Sequence, residues 1–192
     1  MCSHTGVSRW ITLATRIILL TTISTLPVPP ASAASSQVTT IILVRHAEKV
    51  TDNPQDQDPA LSPAGQERAQ ELAKALDGAT VSAIYVTEFR RTQLTAAPVA
   101  QRFGLTPEIR PRGTAEAGAY AQDQAPKILK KHPGKVVLII SHNDTVPAFV
   151  KVLTGKTVPE ITDSEFDRFY VVEVPKTGTA RLIATRYGRP RP

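Results

Sequence analysis

The chain has 192 residues, 41% of them hydrophobic, and a net charge of +6 at pH 7. This length suits a single domain once a targeting segment is set aside. The basic excess is spread along the chain without a dense run of Lys or Arg, so we expect no nucleic-acid partner. The single cysteine, Cys2, falls in the segment that we predict to be removed. Disulfides and thiol nucleophiles are therefore excluded from the remaining chain.

Residues 1–33 have the pattern of a secretory signal peptide. Arg9 and Arg16 form a basic region, residues 17–26 form an apolar run, and Ala31, Ser32 and Ala33 give the small residues that a signal peptidase reads. The apolar run is about half of the ~20 residues needed to cross a bilayer, so we expect no stable membrane span after cleavage. An uncleaved anchor is the alternative. The pattern predicts a periplasmic or secreted domain at residues 34–192.

Strand and helix patterns alternate along this domain. Apolar and β-branched runs predict strands at Thr39–Val44, Val81–Thr87, Glu108–Pro111 and Lys135–Ile140. Helical spacing and capping residues predict helices at Pro63–Gly78, Arg91–Phe103, Ala115–Lys131 and Pro147–Leu153. We expect Pro126 to break the third helix or to start a new one. Two late strands, Phe169–Val174 and Ala180–Thr185, predict a hairpin. This order predicts an α/β fold, a three-layer α/β/α sandwich with a mostly parallel sheet and a C-terminal antiparallel hairpin.

Polar residues follow the predicted strands at the points where each strand ends. Arg45 and His46 follow the first strand, Arg91 lies just past the second, Glu116 lies beyond the third, and His142 follows the fourth. Ligands of open parallel sheets bind beyond the carboxyl ends of the strands. We therefore expect these side chains to meet in one crevice, although they are far apart in sequence.

This set of residues suits attack on a phosphate ester. A neutral imidazole is a competent nucleophile when one ring nitrogen is fixed as a donor, which is the role expected for His46. The guanidinium groups of Arg45 and Arg91 bind phosphate oxygens in pairs and stay charged. His142 can donate to the same oxygens as charge develops. A protonated carboxyl group would supply the proton for the leaving oxygen.

Four ordered blocks resemble the histidine phosphatase superfamily, the phosphoglycerate mutase-like group, in its small-phosphatase branch. They are the Arg-His-Ala-Glu run at 45–48, Leu-Ser-Pro-Ala-Gly at 61–65, the second-arginine block at 84–96, and the second-histidine block at 137–147. The resemblance implies a phosphomonoesterase that forms a phosphohistidine on His46 without a metal or organic cofactor. It also implies that Arg45, Arg91 and His142 bind the phosphate of a small phosphorylated substrate.

The proton donor stays open between three acidic residues. Glu116 lies at about the separation from Arg91 at which the family carries its acid, and it leads, although its surroundings do not match the family's block. Glu88 and Asp144 are the alternatives. Glu48 is assigned no chemistry and is expected to cap a turn or to hold Arg45. A further histidine, His132, is expected to be a solvated loop residue because basic residues and a proline surround it.

Three rival functions compete with this prediction. The first is a metal-dependent phosphoesterase, whose ion would be bound by His46, Glu48, His142 and Asp144. Neighbouring guanidinium groups count against such a site. The second is a phospholigand-binding protein of the same fold without turnover. The third is a phosphoglycerate mutase, which the short segment between the second arginine and the second histidine disfavours, as does the predicted export. Specificity is expected to come from the loops at 50–60 and 110–124.

Overall fold

The computed structural model describes Met1 and residues 38–189. The chain divides into two units, Met1–Ser32 and Ala33–Pro192, and residues 38–189 belong to the second. Apart from Met1, the signal peptide predicted at residues 1–33 lies outside the described residues. Among the described helices, none is long and apolar enough to cross a membrane.

A six-stranded mixed sheet organises the domain, in the order β3-β2-β4-β1-β5-β6. Its strands are β1 Val38–Arg45, β2 Val81–Val86, β3 Glu108–Ile109, β4 Val136–Ser141, β5 Arg168–Pro175 and β6 Arg181–Arg186. The first four strands run parallel, whereas β5 pairs antiparallel with β1 and β6 pairs antiparallel with β5. The predicted α/β class, mostly parallel with an antiparallel C-terminal hairpin, is confirmed.

Four helices cover the two faces of the sheet. They are α1 Pro63–Ala75, α2 Arg90–Phe103, α3 Ala117–Lys131 and α4 Thr145–Thr154. Side chains of a strand alternate between faces, so Ile41 and Leu43 join the core beneath α3 and α4, while Ile42 and Val44 join the core beneath α1 and α2. Two buried cores on opposite faces of one sheet give the three layers that the sequence predicts.

Local sequence signals set most of the helix ends. The Ser62 hydroxyl accepts a hydrogen bond from the Gly65 amide at 3.1 Å, and Pro63 occupies the first helical position of α1. Helix α2 ends at Gly104, whose φ of 63° lies in the left-handed region. Helix α4 begins at Thr145, two residues before the predicted start, because proline is tolerated in the first turn of a helix.

The expectation that Pro126 breaks a helix is wrong. Helix α3 runs without interruption from Ala117 to Lys131, with Pro126 inside it. An internal proline removes one backbone hydrogen bond and costs ~3 kcal/mol. The buried face of α3, which includes Tyr120, Ala121 and Ile128, packs into the core and offsets this cost.

Candidate active site

The two central strands bring the two predicted histidines together. In the β1–β4 ladder Arg45 is paired with Ser141, and the His46 amide donates to the Ser141 carbonyl at 2.8 Å. His46 and His142 therefore leave the sheet side by side, with ring centroids 5.5 Å apart. Both residues are buried, at 4% and 5% exposure. The parallel register thus converts two motifs nearly a hundred residues apart into one pair of imidazoles.

The His46 ring has a defined tautomer. Its Nδ1 lies 2.8 Å from the Ala47 carbonyl oxygen, and because a carbonyl can only accept, Nδ1 carries the hydrogen. The lone pair is then on Nε2. Burial lowers the pKa of His46 to about 3, with smaller contributions from the charges of His142, Arg45 and Arg91. At neutral pH the ring is therefore uncharged, as a nucleophile requires.

A buried threonine pair orients His142. Its Nε2 lies 3.1 Å from the Thr87 hydroxyl, which lies 3.1 Å from the Thr92 hydroxyl. Thr87 directly follows β2, and Thr92 lies in the first turn of α2. Burial lowers the pKa of His142 to about 4, and the charge of Arg91 adds to this effect. The bond to Thr87 engages Nε2 and leaves Nδ1 as the ring nitrogen available to a ligand.

Three backbone carbonyls and an aromatic ring hold the Arg45 guanidinium in place. Its Nη1 donates to the carbonyl oxygens of Thr162, Asp163 and Glu165, at 2.7, 3.1 and 3.0 Å. The Phe166 ring lies over the guanidinium, with its centroid 4.1 Å from the central carbon. The Nε of Arg45 is buried and has no hydrogen-bond partner among residues 38–189. A buried guanidinium nitrogen without a partner is costly unless a ligand satisfies it.

Arg91 has a similar environment on the other side of the site. Its guanidinium lies over the Phe89 ring at 4.2 Å, and its Nη1 is 3.7 Å from an Asp58 carboxylate oxygen. Its Nε is also buried, and no described residue forms a hydrogen bond with it. Burial lowers the pKa of both Arg45 and Arg91, but arginine stays charged at any working pH. Two fixed cations with unpaired N–H groups beside two neutral imidazoles form a site for an oxyanion.

The three acidic candidates differ in how their carboxylates are bound. Glu88 accepts backbone hydrogen bonds from Arg112 at 2.9 Å and from Gly113 at 2.8 Å. Burial would raise the pKa of Glu88, but these bonds outweigh it and the pKa is lowered. Asp144 is forked onto the Arg112 guanidinium at 3.0 and 2.8 Å. Here too burial is outweighed, by the bonds from Arg112 and Thr145, and the pKa is lowered.

Glu116 lies at the N-cap of α3, is exposed, and makes no capping hydrogen bond with its side chain. Glu116 follows a loop that two sets of hydrogen bonds fix. The Glu88 carboxylate accepts from two backbone amides of this loop, and the Arg112 side chain donates to the Ala115 carbonyl at 3.0 Å. Fixed hydrogen-bond donors therefore favour the ionised form of Glu88 and of Asp144, which makes each a poor proton donor. Glu116 stays the predicted donor.

The Glu48 carboxylate binds a buried arginine, and its charge also raises the pKa of Arg45 against the larger effect of burial. Its carboxylate accepts from Arg68 Nε at 2.9 Å and lies 2.8 Å from Arg68 Nη2, and Arg68 is 2% exposed. The Glu48 carbonyl oxygen also accepts from the Ser62 amide at 3.0 Å. A Cβ added to Gly65 would lie 2.0 Å from that oxygen. The glycine of the second motif is therefore needed for the close approach of α1 to the loop that carries His46.

Several residues of the site were missed by the sequence reasoning. They are the orienting threonine Thr87, the two rings Phe89 and Phe166, the loop-anchoring Arg112, and the carbonyls at 162–165. Two of them lie within or beside the second-arginine block, and that position is the signal that could have drawn attention to them. Backbone carbonyls carry no such signal, because any residue supplies one.

His132 is not a solvated loop residue as expected. It ends α3, is half-buried, and its Nε2 lies 2.8 Å from the Tyr85 hydroxyl. Burial, followed by the charge of Lys131, lowers its pKa. Across residues 38–189, no group of three or more histidines and carboxylates is arranged to hold a metal ion.

Comparisons with known proteins agree with this geometry. Residues 41–114 match the model of the histidine phosphatase superfamily (branch 1). No curated protein sequence matches the chain. The solved structure of mycobacterial glucosyl-3-phosphoglycerate phosphatase has 13% identity and a TM-score of 0.60, and the match covers 76% of this chain and 97% of that one.

Two further solved structures share the fold. The protein histidine phosphatase SixA, complexed with tungstate, has 22% identity and a TM-score of 0.59, covering 77% of this chain and 96% of that one. Phosphoserine phosphatase from Entamoeba histolytica has 16% identity and a TM-score of 0.58, covering 80% and 98%. The chain therefore shares the fold of these phosphatases, and its residues 41–114 resemble the histidine phosphatase superfamily (branch 1).

Proposed function

We propose that the chain is an exported phosphomonoesterase that hydrolyses phosphate esters through a phosphohistidine on His46. The observation that carries the proposal is the pair of buried Nε atoms of Arg45 and Arg91, which have no hydrogen-bond partner among the described residues. Each arginine stacks on an aromatic ring that also contacts one of the two imidazoles. Such groups call for an anionic ligand with several oxygens. The phosphatases that share the fold support the same class of substrate.

The reaction would proceed in two displacements. His46 Nε2 attacks phosphorus, the P–O bond to the leaving group breaks, and that oxygen takes a proton from Glu116. Arg45, Arg91 and His142 bind the three oxygens whose charge grows in the transition state. Water then gives its proton to the Glu116 carboxylate and attacks the phosphohistidine, which releases inorganic phosphate and restores neutral His46. No step requires a metal.

The test is hydrolysis of p-nitrophenyl phosphate by the purified full-length chain, with and without EDTA. We expect turnover that EDTA does not reduce, and loss of turnover by at least about a thousandfold in His46→Ala. His132→Gln is the matched control, because it removes a histidine outside the site, and it should keep most of the activity. Rapid quenching at alkaline pH, where a phosphohistidine survives, should recover labelled phosphate on His46.

Each rival predicts a different result. Label on another residue, or turnover without label, would refute the nucleophile. Loss of activity in EDTA, restored by a divalent ion, would favour the metal-dependent phosphoesterase. Phosphate binding that survives His46→Ala in a protein without turnover would favour the non-catalytic binding protein.

The proposal of export depends on the sequence of residues 1–33 alone. Expression of the full chain in a bacterial host, followed by fractionation, should yield a periplasmic or secreted protein whose N-terminus begins at Ala34. A protein retained in the cytoplasm with Met1 or Cys2 at its start would contradict export and leave the proposed chemistry untouched.

A further inference from the structure

Asp163 stands at the mouth of the proposed phosphate pocket. Its carboxylate oxygen lies 3.3 Å from the side-chain amide nitrogen of Asn143 and 3.8 Å from Arg45 Nη2. Asn143 directly follows His142, and Arg45 directly precedes His46. A single carboxylate thus lies next to the exits of both central strands, where the phosphate would be held.

The backbone of Asp163 is fixed, whereas its side chain is exposed to solvent. The Asp163 carbonyl accepts from Arg45 at 3.1 Å, between two further carbonyls that bind the same nitrogen. The neighbouring Glu165 carboxylate accepts from the Thr162 amide at 3.1 Å and from two arginines, which closes the turn. The Asp163 side chain itself is 96% exposed. The turn therefore holds a hydrated negative charge at a defined place.

Three other carboxylates around the site are bound more tightly. Glu88 accepts two amides, Asp144 is forked onto Arg112, and Asp58 accepts the Arg90 amide at 2.9 Å. Each of these bonds is 3.0 Å or shorter, so these carboxylates have a structural task. Asp163 makes a longer contact to Asn143 and its remaining oxygen surface faces water. Its charge is thus available to a bound molecule.

A phosphate bound to the Arg45 guanidinium would have its oxygens about 3 Å from those nitrogens. The Asp163 carboxylate would then lie roughly 6 Å from the first atoms of the leaving group. We propose that Asp163 selects, among phosphate monoesters, those whose leaving group carries an ammonium group near the ester oxygen, and that it disfavours those carrying a carboxylate. This inference rests on the proposed phosphatase function and names the substrate class of the same site.

The expected size of the effect follows from Coulomb's law. One unit charge at about 6 Å from Asp163, in largely aqueous surroundings, changes kcat/KM about threefold. Ammonium and carboxylate leaving groups feel opposite signs, so their ratio should differ by about tenfold because of this one residue. The preference should shrink at high ionic strength, since the group is exposed.

The test compares aminoethyl phosphate, propyl phosphate and carboxyethyl phosphate as substrates of the full-length chain at low and high salt. These three esters differ in leaving-group charge but are all alkyl phosphates. Asp163→Asn keeps the shape and the contact to Asn143 and removes the charge. Glu160→Gln is the matched control, since it makes the same charge change three residues away on the same segment.

We expect the ratio of kcat/KM for aminoethyl over carboxyethyl phosphate to fall about tenfold in Asp163→Asn, with propyl phosphate little changed. Asp163→Lys should reverse the preference, and Glu160→Gln should keep it. An unchanged ratio in Asp163→Asn, or an equal fall in Glu160→Gln, overturns the assignment while the phosphatase function stands. If the wild-type chain hydrolyses none of the three esters or p-nitrophenyl phosphate, the proposed function fails, and the inference with it.

Discussion

Keeping two neutral histidines buried should make the fold sensitive to acid. The pKa of His46 is lowered to about 3 and that of His142 to about 4, whereas an unfolded histidine titrates near 6.5. Between those values the unfolded chain binds more protons than the folded one, so stability falls as the pH falls. At pH 5 each histidine should reduce the free energy of unfolding by about 2 kcal/mol relative to neutral pH.

Urea denaturation at pH 7.5 and pH 5.0 measures this effect. His46→Asn and His142→Asn should each remove about 2 kcal/mol of the difference between the two pH values, and the double variant about 4 kcal/mol. The carboxylates contribute equally to wild type and variants, so the comparison isolates the imidazoles. A single variant whose pH dependence equals that of the wild type would refute the claim that this ring is held neutral by burial.

Two further predictions concern packing and the loop beyond β3. Gly65→Ala should destabilise the fold by several kcal/mol, because its Cβ would meet the Glu48 carbonyl at 2.0 Å. The control, Gly118→Ala, lies in open space on α3 and should stabilise the fold by up to ~1 kcal/mol. Thermal melts of both variants measure these effects, and a Gly65→Ala variant as stable as wild type would contradict the close approach. Glu88→Gln should lower the free energy of unfolding by about 1–2 kcal/mol, because the amide nitrogen that replaces one carboxylate oxygen cannot accept from the N–H groups of residues 112–113. The variant should also reduce kcat more than it raises KM. Steady-state kinetics that match wild type would exclude this positioning role.

The sequence predicted the fold class and the meeting of His46 with His142, because both depend on patterns that local chemistry fixes. Apolar runs specify buried strands, and parallel strands place their carboxyl ends at one edge. Pro126 shows where local rules fail: its cost is local, but the packing that offsets it comes from residues across the core. A single sequence contains no direct measure of that compensation.

The surroundings of the site could be predicted less well than its motifs. Glu48 binds Arg68, twenty residues away on the next helix, and nothing in the spacing singles out that arginine. The cradle of Arg45 consists of backbone carbonyls, which leave no trace in residue type. The catalytic roles of Arg45, His46, Arg91, Glu116 and His142 stay predictions until the variants are measured.

The backbone carbonyls of residues 162–165, which bind Arg45, also determine when during synthesis the pocket can form. Arg45 emerges early from the ribosome, but its partners follow 117 to 120 residues later. A nascent or truncated chain that ends before Thr162 would contain every residue of the family motifs and still lack the support that orients its first arginine. The pocket would thus be complete only once about the last sixth of the polypeptide is made, so a partly made chain would contain these motifs without the carbonyls that hold Arg45.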